Sequence, residues 1–172
     1  ECGSTKPEKA QKAVLENCAD IGICLDGDAD RVLFIDERGK LANGDQVIGL
    51  LARAWMEKNL LNKSTVVATV MSNLALELYL EKIGVSLIRT QVGDKNVSKC
   101  MNREGLNLGG EQSGHLILSD YSDAGDGLIT SLQVLSVLVE SKKKASKIFD
   151  LFKPFPQSLI NIDADQCNDF QK

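Results

Sequence analysis

The sequence predicts an α/β fold in which strands and helices alternate along a layered domain. Short runs rich in β-branched residues recur, and each is followed by a longer segment with helical periodicity. The run from Thr65 to Val70 is apolar on both faces, as in a strand buried within a parallel sheet. With 172 residues, 43% of them hydrophobic, the chain can bury a substantial core. We therefore expect the layered domain over about residues 40–150.

Before this domain, the chain is expected to form one helix and two short strands. The helix spans Pro7 to Ala19, with proline near its first turn and an apolar side that includes Val14 and Cys18. The apolar runs 21–25 and 32–36 are predicted to be strands on either side of an acidic loop. A turn at 37–40 ends this part of the chain.

Within the domain, glycine, proline and capping residues mark where each element begins or ends. Gly84 stops a helix, Gly93 and Asp126 each open one, and the run 154–156 indicates a stiff, extended linker. In chain order we expect helices at about 46–60, 73–83, 93–105, 126–142 and 145–152, and strands at 65–70, 85–90 and 116–118.

The most unusual stretch is the acidic loop between the first two predicted strands. Asp26, Asp28 and Asp30 stand at alternate positions, and Arg31 follows at once. Two carboxylates about 4 Å apart repel each other by about 4 kcal/mol at an effective dielectric constant of roughly 20. One arginine cannot neutralise three of them, whereas a hard divalent cation with oxygen ligands can. The loop therefore predicts a Mg²⁺ site.

Three other interpretations of the acidic loop stay open at this point. In an EF-hand the aspartates would begin the ligand set and Glu37 would complete it, but Arg31 stands where that loop needs glycine. A nucleophilic aspartate of a phosphatase would follow an apolar strand in an Asp-x-Asp pattern. The third interpretation is a solvated acidic turn without a ligand.

A second unusual run, from Gly109 to His115, combines three glycines with polar side chains. Glu111, Ser113 and His115 alternate, so in an extended chain they would project to the same side. A carboxylate, a hydroxyl and an imidazole on one side suit a polyhydroxylated ligand such as a sugar. The alternative is a glycine-rich hairpin with polar surface residues.

Two shorter runs allow both a structural and a functional interpretation. The run from Gly93 to Lys95 is either a helix N-terminus capped by Asp94 or a loop that presents Lys95 to a phosphate. Asp126 is expected to cap the helix that follows it, in preference to binding a ligand.

Composition excludes several classes of function. A net charge of −4 argues against nucleic acid as the main partner, and no apolar run approaches the roughly 20 residues that span a bilayer. The five cysteines are odd in number and lack C-x-x-C spacing, so neither a disulfide framework nor a zinc site is expected. We expect a cytoplasmic protein with reduced thiols and no membrane partner.

Taken together, the acidic loop and the glycine-rich run resemble those of the α-D-phosphohexomutases. The resemblance rests on six runs that keep the family's order over nearly the whole chain, and Gln112 favours the branch that acts on amino sugars. The six runs are Cys2–Thr5, Asp26–Arg31, Thr69–Asn73, Arg89–Asp94, Gly109–His115 and Gly125–Gly127. At 93–97 the chain reads Gly-Asp-Lys-Asn-Val, which departs from the family's Gly-Asp-Arg-Tyr-Val.

The resemblance implies a three-layer αβα domain with a mixed, mostly parallel sheet, within an internal piece of a four-domain enzyme. The start at Glu1, without methionine, is in keeping with such a piece. Residues 1–37 would end the second domain and carry the metal loop, 38–152 would form the third domain with the sugar-binding loop, and 153–172 would be a linker and the start of the fourth. The family's phosphoserine loop is absent from the sequence, so no catalytic residue is assigned and the piece alone is expected to be inactive.

For the whole protein, the resemblance implies an intramolecular phosphotransferase with Mg²⁺ as its cofactor. It would interconvert glucosamine 6-phosphate and glucosamine 1-phosphate through a phosphoserine and a 1,6-bisphosphate, on the way to UDP-N-acetylglucosamine and peptidoglycan. Its partners would be this hexosamine phosphate and the missing domains of the same protein. A sibling that acts on glucose or mannose phosphates is one alternative, and a non-catalytic module that binds sugar phosphate or metal is another.

The resemblance also assigns roles to seven residues of this chain. The implied metal ligands are Asp26, Asp28 and Asp30. Arg31 would contact phosphate. The implied sugar contacts are Glu111, Ser113 and His115.

Overall fold

The computed structural model describes residues 3–4, 6–158 and 160. Parts of two predicted segments, the run Cys2–Thr5 and the linker region 153–172, therefore lie outside the described residues.

In chain order the elements are α1 (Glu8–Glu16), β1 (Ile21–Leu25), β2 (Val32–Asp36), β3 (Leu41–Ala42), α2 (Gly44–Glu57), a 3₁₀ turn (Asn62–Ser64), β4 (Thr65–Thr69), α3 (Leu74–Lys82), β5 (Ser86–Thr90), α4 (Asp94–Glu104), β6 (Leu108–Gly110), β7 (Leu116–Leu118), α5 (Gly127–Ser141) and α6 (Ala145–Ile148).

The larger sheet has four strands in the order β5-β4-β6-β7. β4 pairs in parallel with both β5 and β6, whereas β6 and β7 form an antiparallel hairpin. The parallel pairs are connected through helices, as chain geometry requires for parallel neighbours. The predicted α/β class with a mixed, mostly parallel sheet is confirmed.

Helices cover both faces of this sheet and give it three layers. Successive side chains of β4 point to opposite faces, so Val67 packs with Val97 and Met101 of α4 on one face. Val66 and Ala68 belong to the core on the other face, together with buried residues of α2, α3 and α5. The two-sided burial of β4 explains why its sequence is apolar without alternation.

The smaller sheet is antiparallel, in the order β1-β2-β3, and shares its core with the larger domain. Every residue of β2 is buried. Val32 and Phe34 join the main core, and the Phe34 ring lies 5.7 Å from the ring of Phe149. Ile35, on the opposite face, packs with Val14 and with the buried Cys24. The acidic loop is thus held on a hairpin packed into the domain.

Three predicted helices are shorter than expected. α1 ends at Glu16, because Cys18 adopts a left-handed φ of 49° as the chain turns toward β1, and Cys18 is exposed instead of buried. α2 ends at Glu57, where Asn59 takes a φ of 56°. α6 is limited to four residues, Ala145–Ile148. In all three cases the apolar periodicity of the sequence continues past the residue at which the helix ends. Tertiary packing makes the backbone turn before the periodic pattern stops.

Among the described residues, no helix combines the length and the apolar character that crossing a membrane requires.

We predict that Gly109→Ala destabilises the domain, because β6 lies too close to its neighbours to admit a side chain. A Cβ at this position would lie 2.6 Å from the Met101 sulfur and 3.0 Å from the Val67 carbonyl oxygen. Overpacking of this kind costs about 1–3 kcal/mol. The free energy of unfolding is measured by urea titration, followed by the fluorescence of the buried Trp55.

Gly27→Ala is the matched control, because a Cβ at Gly27 meets no atom within 4 Å. Equal stability of the two variants would contradict the close approach of β6 to β4 and α4.

Candidate metal and sugar site

The acidic loop, residues 26–31, is the connection of the β1–β2 hairpin and is folded by its own backbone. The Arg31 N–H donates to Asp26 Oδ1 at 3.1 Å, and Ala29 adopts a left-handed φ of 59°. From outside the loop, the Gly127 N–H donates to the Ala29 carbonyl oxygen at 2.8 Å. These contacts hold one carboxylate oxygen from each of Asp26, Asp28 and Asp30 within 4.8 Å of one another.

The electrostatics of the loop suit a cation. Partial burial raises the pKa of Asp30, and a hydrogen bond and negative charge from Asp26 raise it further, against the lowering effect of His115. Arg31 supplies little compensation, because its Nε lies 3.8 Å from Asp26 Oδ2 and its side chain is 45% exposed. Three close oxygen ligands with this unrelieved repulsion fit a hard divalent ion such as Mg²⁺.

The EF-hand interpretation is wrong. Strands, not helices, flank the loop. Glu37, which would have completed the ligand set, accepts hydrogen bonds from the Ser146 hydroxyl and the Ser146 N–H, at 2.6 and 2.9 Å. Burial raises the pKa of Glu37, but the two Ser146 hydrogen bonds, together with the Glu37 backbone and the Arg38 charge, lower it overall. Glu37 therefore fastens the turn after β2 to the start of α6.

The glycine-rich run forms the tight connection between β6 and β7, not an extended segment. Gly109 and Gly110 lie within β6, and the Gly114 N–H donates to the Glu111 carbonyl oxygen at 3.0 Å. Gly114 has a φ of 95°, and a Cβ there would collide with the Val32 carbonyl oxygen. The run is thus a hairpin turn, the alternative interpretation, and alternation does not bring all three side chains to one side: Glu111 and Ser113 line one depression, whereas His115 contacts Asp30.

Glu111 and Ser113 share one open depression. Together with Gln112 they line a hollow of about 280 Å³ whose other walls are Thr69, Met71 and Val92. Glu111 is fixed there because its Oε1 accepts from the Gly93 N–H at 2.9 Å, at the start of α4. A carboxylate at a helix N-terminus is favoured by the helix dipole.

His115 lies against the acidic loop. Its Nδ1 is 3.0 Å from Asp30 Oδ2, and its side chain is only 8% exposed. Gly125 packs on the imidazole so closely that a Cβ there would collide with the ring. Arg31 and His115 also form an antiparallel backbone bridge, and the Val32 N–H donates to the Gly114 carbonyl oxygen at 3.1 Å. The acidic loop and the glycine-rich turn are thus in direct contact.

The structure shows the local role of Asp126 and of the run from Gly93 to Lys95. Asp126 caps α5 by accepting from the Ile129 N–H at 2.8 Å, as predicted. Asp94 does not cap α4, because Gly93 is the N-cap residue and no side-chain cap is formed there. Lys95 lines a separate hollow with Lys99 and Asp123, outside the depression that contains Glu111.

One residue beside the site was missed by the sequence analysis. Asp45, in the first turn of α2, is 1% exposed, and its Oδ2 accepts from the Gln112 side chain at 3.2 Å. Burial raises the pKa of Asp45 more than its hydrogen bonds and the nearby Arg89 charge lower it. An acidic residue in the first turn of a helix is common, so its sequence position gave no signal of this contact.

Comparison with known proteins identifies the family. Residues 43–155 match the model of phosphoglucomutase/phosphomannomutase, alpha/beta/alpha domain III. A phosphoglucosamine mutase from Zymomonas mobilis subsp. mobilis is 56% identical over 161 residues, and one from Parvibaculum lavamentivorans is 58% identical over 162. Each alignment covers 94% of this chain but only 36% of the relative.

Solved structures share the fold. A phosphoglucomutase/phosphomannomutase family protein from Burkholderia thailandensis superposes with a TM-score of 0.78 at 23% identity, over 91% of this chain and 34% of that one. The N-acetylphosphoglucosamine mutase of Aspergillus fumigatus, in complex with GlcNAc-6P and magnesium, gives a TM-score of 0.69 at 20% identity, over 91% and 38%. The expected resemblance is confirmed: the chain belongs to the phosphoglucomutase/phosphomannomutase family, the α-D-phosphohexomutases.

Proposed function

We propose that the whole protein is a phosphohexomutase that interconverts glucosamine 6-phosphate and glucosamine 1-phosphate. The observation that carries the proposal is the contact between the acidic loop and the glycine-rich turn, made by Asp30 and His115 at 3.0 Å. A metal site that touches a sugar-binding turn suits a ligand that carries both a ring and a phosphate. The names of the curated relatives support an amino sugar as that ring.

Asp26, Asp28 and Asp30 are the residues that would hold the metal ion, which we take to be Mg²⁺. A bound Mg²⁺ supplies Lewis-acid stabilisation of the charge on the transferred phosphoryl group. The magnesium of the Aspergillus fumigatus enzyme is in keeping with this choice. His115 donates from Nδ1 to Asp30 and so keeps that carboxylate in place, as a residue behind a metal ligand commonly does.

Arg31 would contact phosphate at the rim of the acidic loop. Its backbone is fixed by Asp26 and by the bridge to His115, whereas nearly half of its side chain is exposed. A guanidinium can donate two parallel hydrogen bonds to phosphate oxygens. We assign Arg31 to this contact.

Glu111 and Ser113 would bind hydroxyl groups of the sugar ring. Because Glu111 uses Oε1 to accept from the Gly93 N–H, its Oε2 can accept from a sugar hydroxyl in the same depression. Contacts to the ring, and to neither phosphate, allow a 1,6-bisphosphate to bind in both orientations. This is what a mutase needs, since each end of the sugar must in turn reach the phosphoryl donor.

Phosphoryl transfer itself would need a phosphoserine from a part of the protein outside these 172 residues. In the forward direction the serine Oγ–P bond breaks and an O1–P bond forms, which gives the bisphosphate. The phosphoryl group at O6 then returns to serine. Such transfers depend mainly on positioning and charge stabilisation. Since the sequence contains no such serine loop, we expect the 172-residue chain alone to be inactive.

One prediction of this proposal concerns the metal. Asp28→Asn should weaken Mn²⁺ binding to the chain by at least about tenfold, because it removes one of three carboxylate ligands. Mn²⁺ serves as a paramagnetic probe for Mg²⁺, and free Mn²⁺ is measured by electron paramagnetic resonance. Asp28 is exposed, so the fold should survive the change.

Asp20→Asn is the control for this titration, because Asp20 is an exposed aspartate outside the loop. Unchanged Mn²⁺ affinity in Asp28→Asn, or an equal loss in Asp20→Asn, would rule out the proposed ligand set.

Another prediction of this proposal concerns the sugar. In the full-length protein, Glu111→Gln and Ser113→Ala should each lower kcat/KM for glucosamine 1-phosphate by about 10- to 100-fold, because each removes a hydrogen bond to the ring. Glu81→Gln, at an exposed position of α3, is the matched control and should leave the rate unchanged.

The same assay separates the family members. Faster turnover of glucose 1-phosphate or mannose 1-phosphate than of glucosamine 1-phosphate would replace the proposal with the sibling activity. No turnover of any of the three by the full-length protein would favour a binding module.

A further inference from the structure

Asp45 joins two segments that the proposed mechanism leaves unconnected. Its Oδ2 accepts from the Asn73 N–H at 2.9 Å and from the Gln112 side-chain amide at 3.2 Å. Asn73 is the N-cap residue of α3, and Gln112 lies between the two proposed sugar contacts, Glu111 and Ser113. One buried oxygen therefore binds both segments.

Capping of α2 does not explain this carboxylate. Asn43 already caps the helix, because its Oδ1 accepts from the Asp45 N–H at 3.1 Å and from the Gln46 N–H at 3.4 Å, and Gln46 completes a capping box. The Asp45 side chain instead reaches away from its own helix. Burial of a carboxylate carries a desolvation cost, and the two hydrogen bonds that Asp45 accepts from other segments partly offset this cost.

The start of α2 holds Gln112 by both its backbone and its side chain. The Gly44 N–H donates to the Gln112 carbonyl oxygen at 3.0 Å, and Gln112 Nε2 donates to Asp45. A residue fixed at two points has little freedom to rotate. The flanking side chains of Glu111 and Ser113 therefore keep a defined direction into their shared depression.

On its other side, Asn73 holds the segment by which the chain leaves the domain. Its Oδ1 accepts from the Phe155 N–H at 3.0 Å, and its Nδ2 donates to the Phe155 carbonyl oxygen at 2.9 Å. Gln157 adds a hydrogen bond from Nε2 to the Met71 carbonyl oxygen at 3.0 Å. The segment 155–157 is thus fastened to the same residue that donates to Asp45.

We propose that Asp45 is a positioning residue that fixes the sugar-binding turn through Gln112 and, through Asn73, ties that turn to the exit segment 155–157. The proposal rests on the proposed function in one respect, namely that Glu111 and Ser113 bind the sugar. Its structural half, the coupling of the two segments, stands apart from that function and is tested on the 172-residue chain.

The structural test is amide hydrogen exchange in three variants of the chain. Asp45→Ala should raise the exchange rates of the Asn73, Gly114 and Phe155 amides by at least about tenfold, since both segments lose their common acceptor. Asp45→Asn keeps one oxygen acceptor and should restore rates close to those of the unmodified chain. Gln112→Ala should raise the rate at Gly114 alone. Asp20→Asn is the surface control.

The functional test measures kcat and KM separately for Asp45 variants of the full-length protein. Asp45→Ala should raise KM for the sugar phosphate by about tenfold with kcat little changed, and Asp45→Asn should restore it. A purely structural role would instead reduce the fraction of active protein, which lowers kcat and leaves KM unchanged.

The outcomes are distinguishable from one another. Unchanged exchange at Gly114 in Asp45→Ala and Gln112→Ala would overturn the proposal, as would an Asp45→Asn variant as perturbed as Asp45→Ala. If Asp45→Ala does not fold, Gln112→Ala decides, and unchanged exchange at Gly114 overturns the positioning role. Coupled exchange without an effect on KM would retain the coupling of the two segments, and the Glu111→Gln and Ser113→Ala variants would then decide what fails. If those variants lower kcat/KM, the positioning of the sugar contacts by Asp45 is overturned; if they do not, the sugar-binding assignment is.

Discussion

The candidate site depends on a short antiparallel seam between the start of β2 and the turn that joins β6 to β7. Arg31 and His115 form its backbone bridge, and the Val32 N–H donates to the Gly114 carbonyl oxygen. The seam connects two different sheets, so it holds the acidic loop and the glycine-rich turn in one place. Only a residue without a side chain fits at Gly114, because the Val32 carbonyl oxygen occupies the space of a Cβ. Gly114 is therefore needed for assembly of the site.

The seam also explains how the fold tolerates three neighbouring carboxylates. Asp26 is engaged by the Arg31 N–H, Asp30 faces His115, and the loop backbone is held by the Gly127 N–H. These contacts oppose the repulsion that would otherwise spread the loop, and they do so without neutralising it. The result is a preorganised set of oxygens whose repulsion a divalent cation would relieve. The same arrangement places the exposed Arg31 side chain at the rim, beside the charge that it would help to bind.

Much of the fold could be predicted from local sequence patterns. The predictions that failed concern features that tertiary packing decides. The two-sided apolar run of β4 and the cap residue Asp126 act over a few residues, so the sequence displays them directly. The ends of α1 and α2 depend on where the chain must turn to meet its neighbours, and periodicity carries no such information. The run 109–115 stayed ambiguous because alternating polar residues fit both an extended strand and a tight connection, and the backbone of Gly114 decides between them.

The sequence by itself determined which chemical groups are present and where strands and helices lie, because both depend on neighbouring residues. Three alternating aspartates predict a counter-charge from their spacing alone. The tertiary structure decided which of these groups meet. Asp30 contacts His115 across 85 positions, and Gln112 contacts Asp45 across 67. Such contacts depend on the stacking of helices on a sheet and on the joining of two sheets, neither of which leaves a local pattern in the chain.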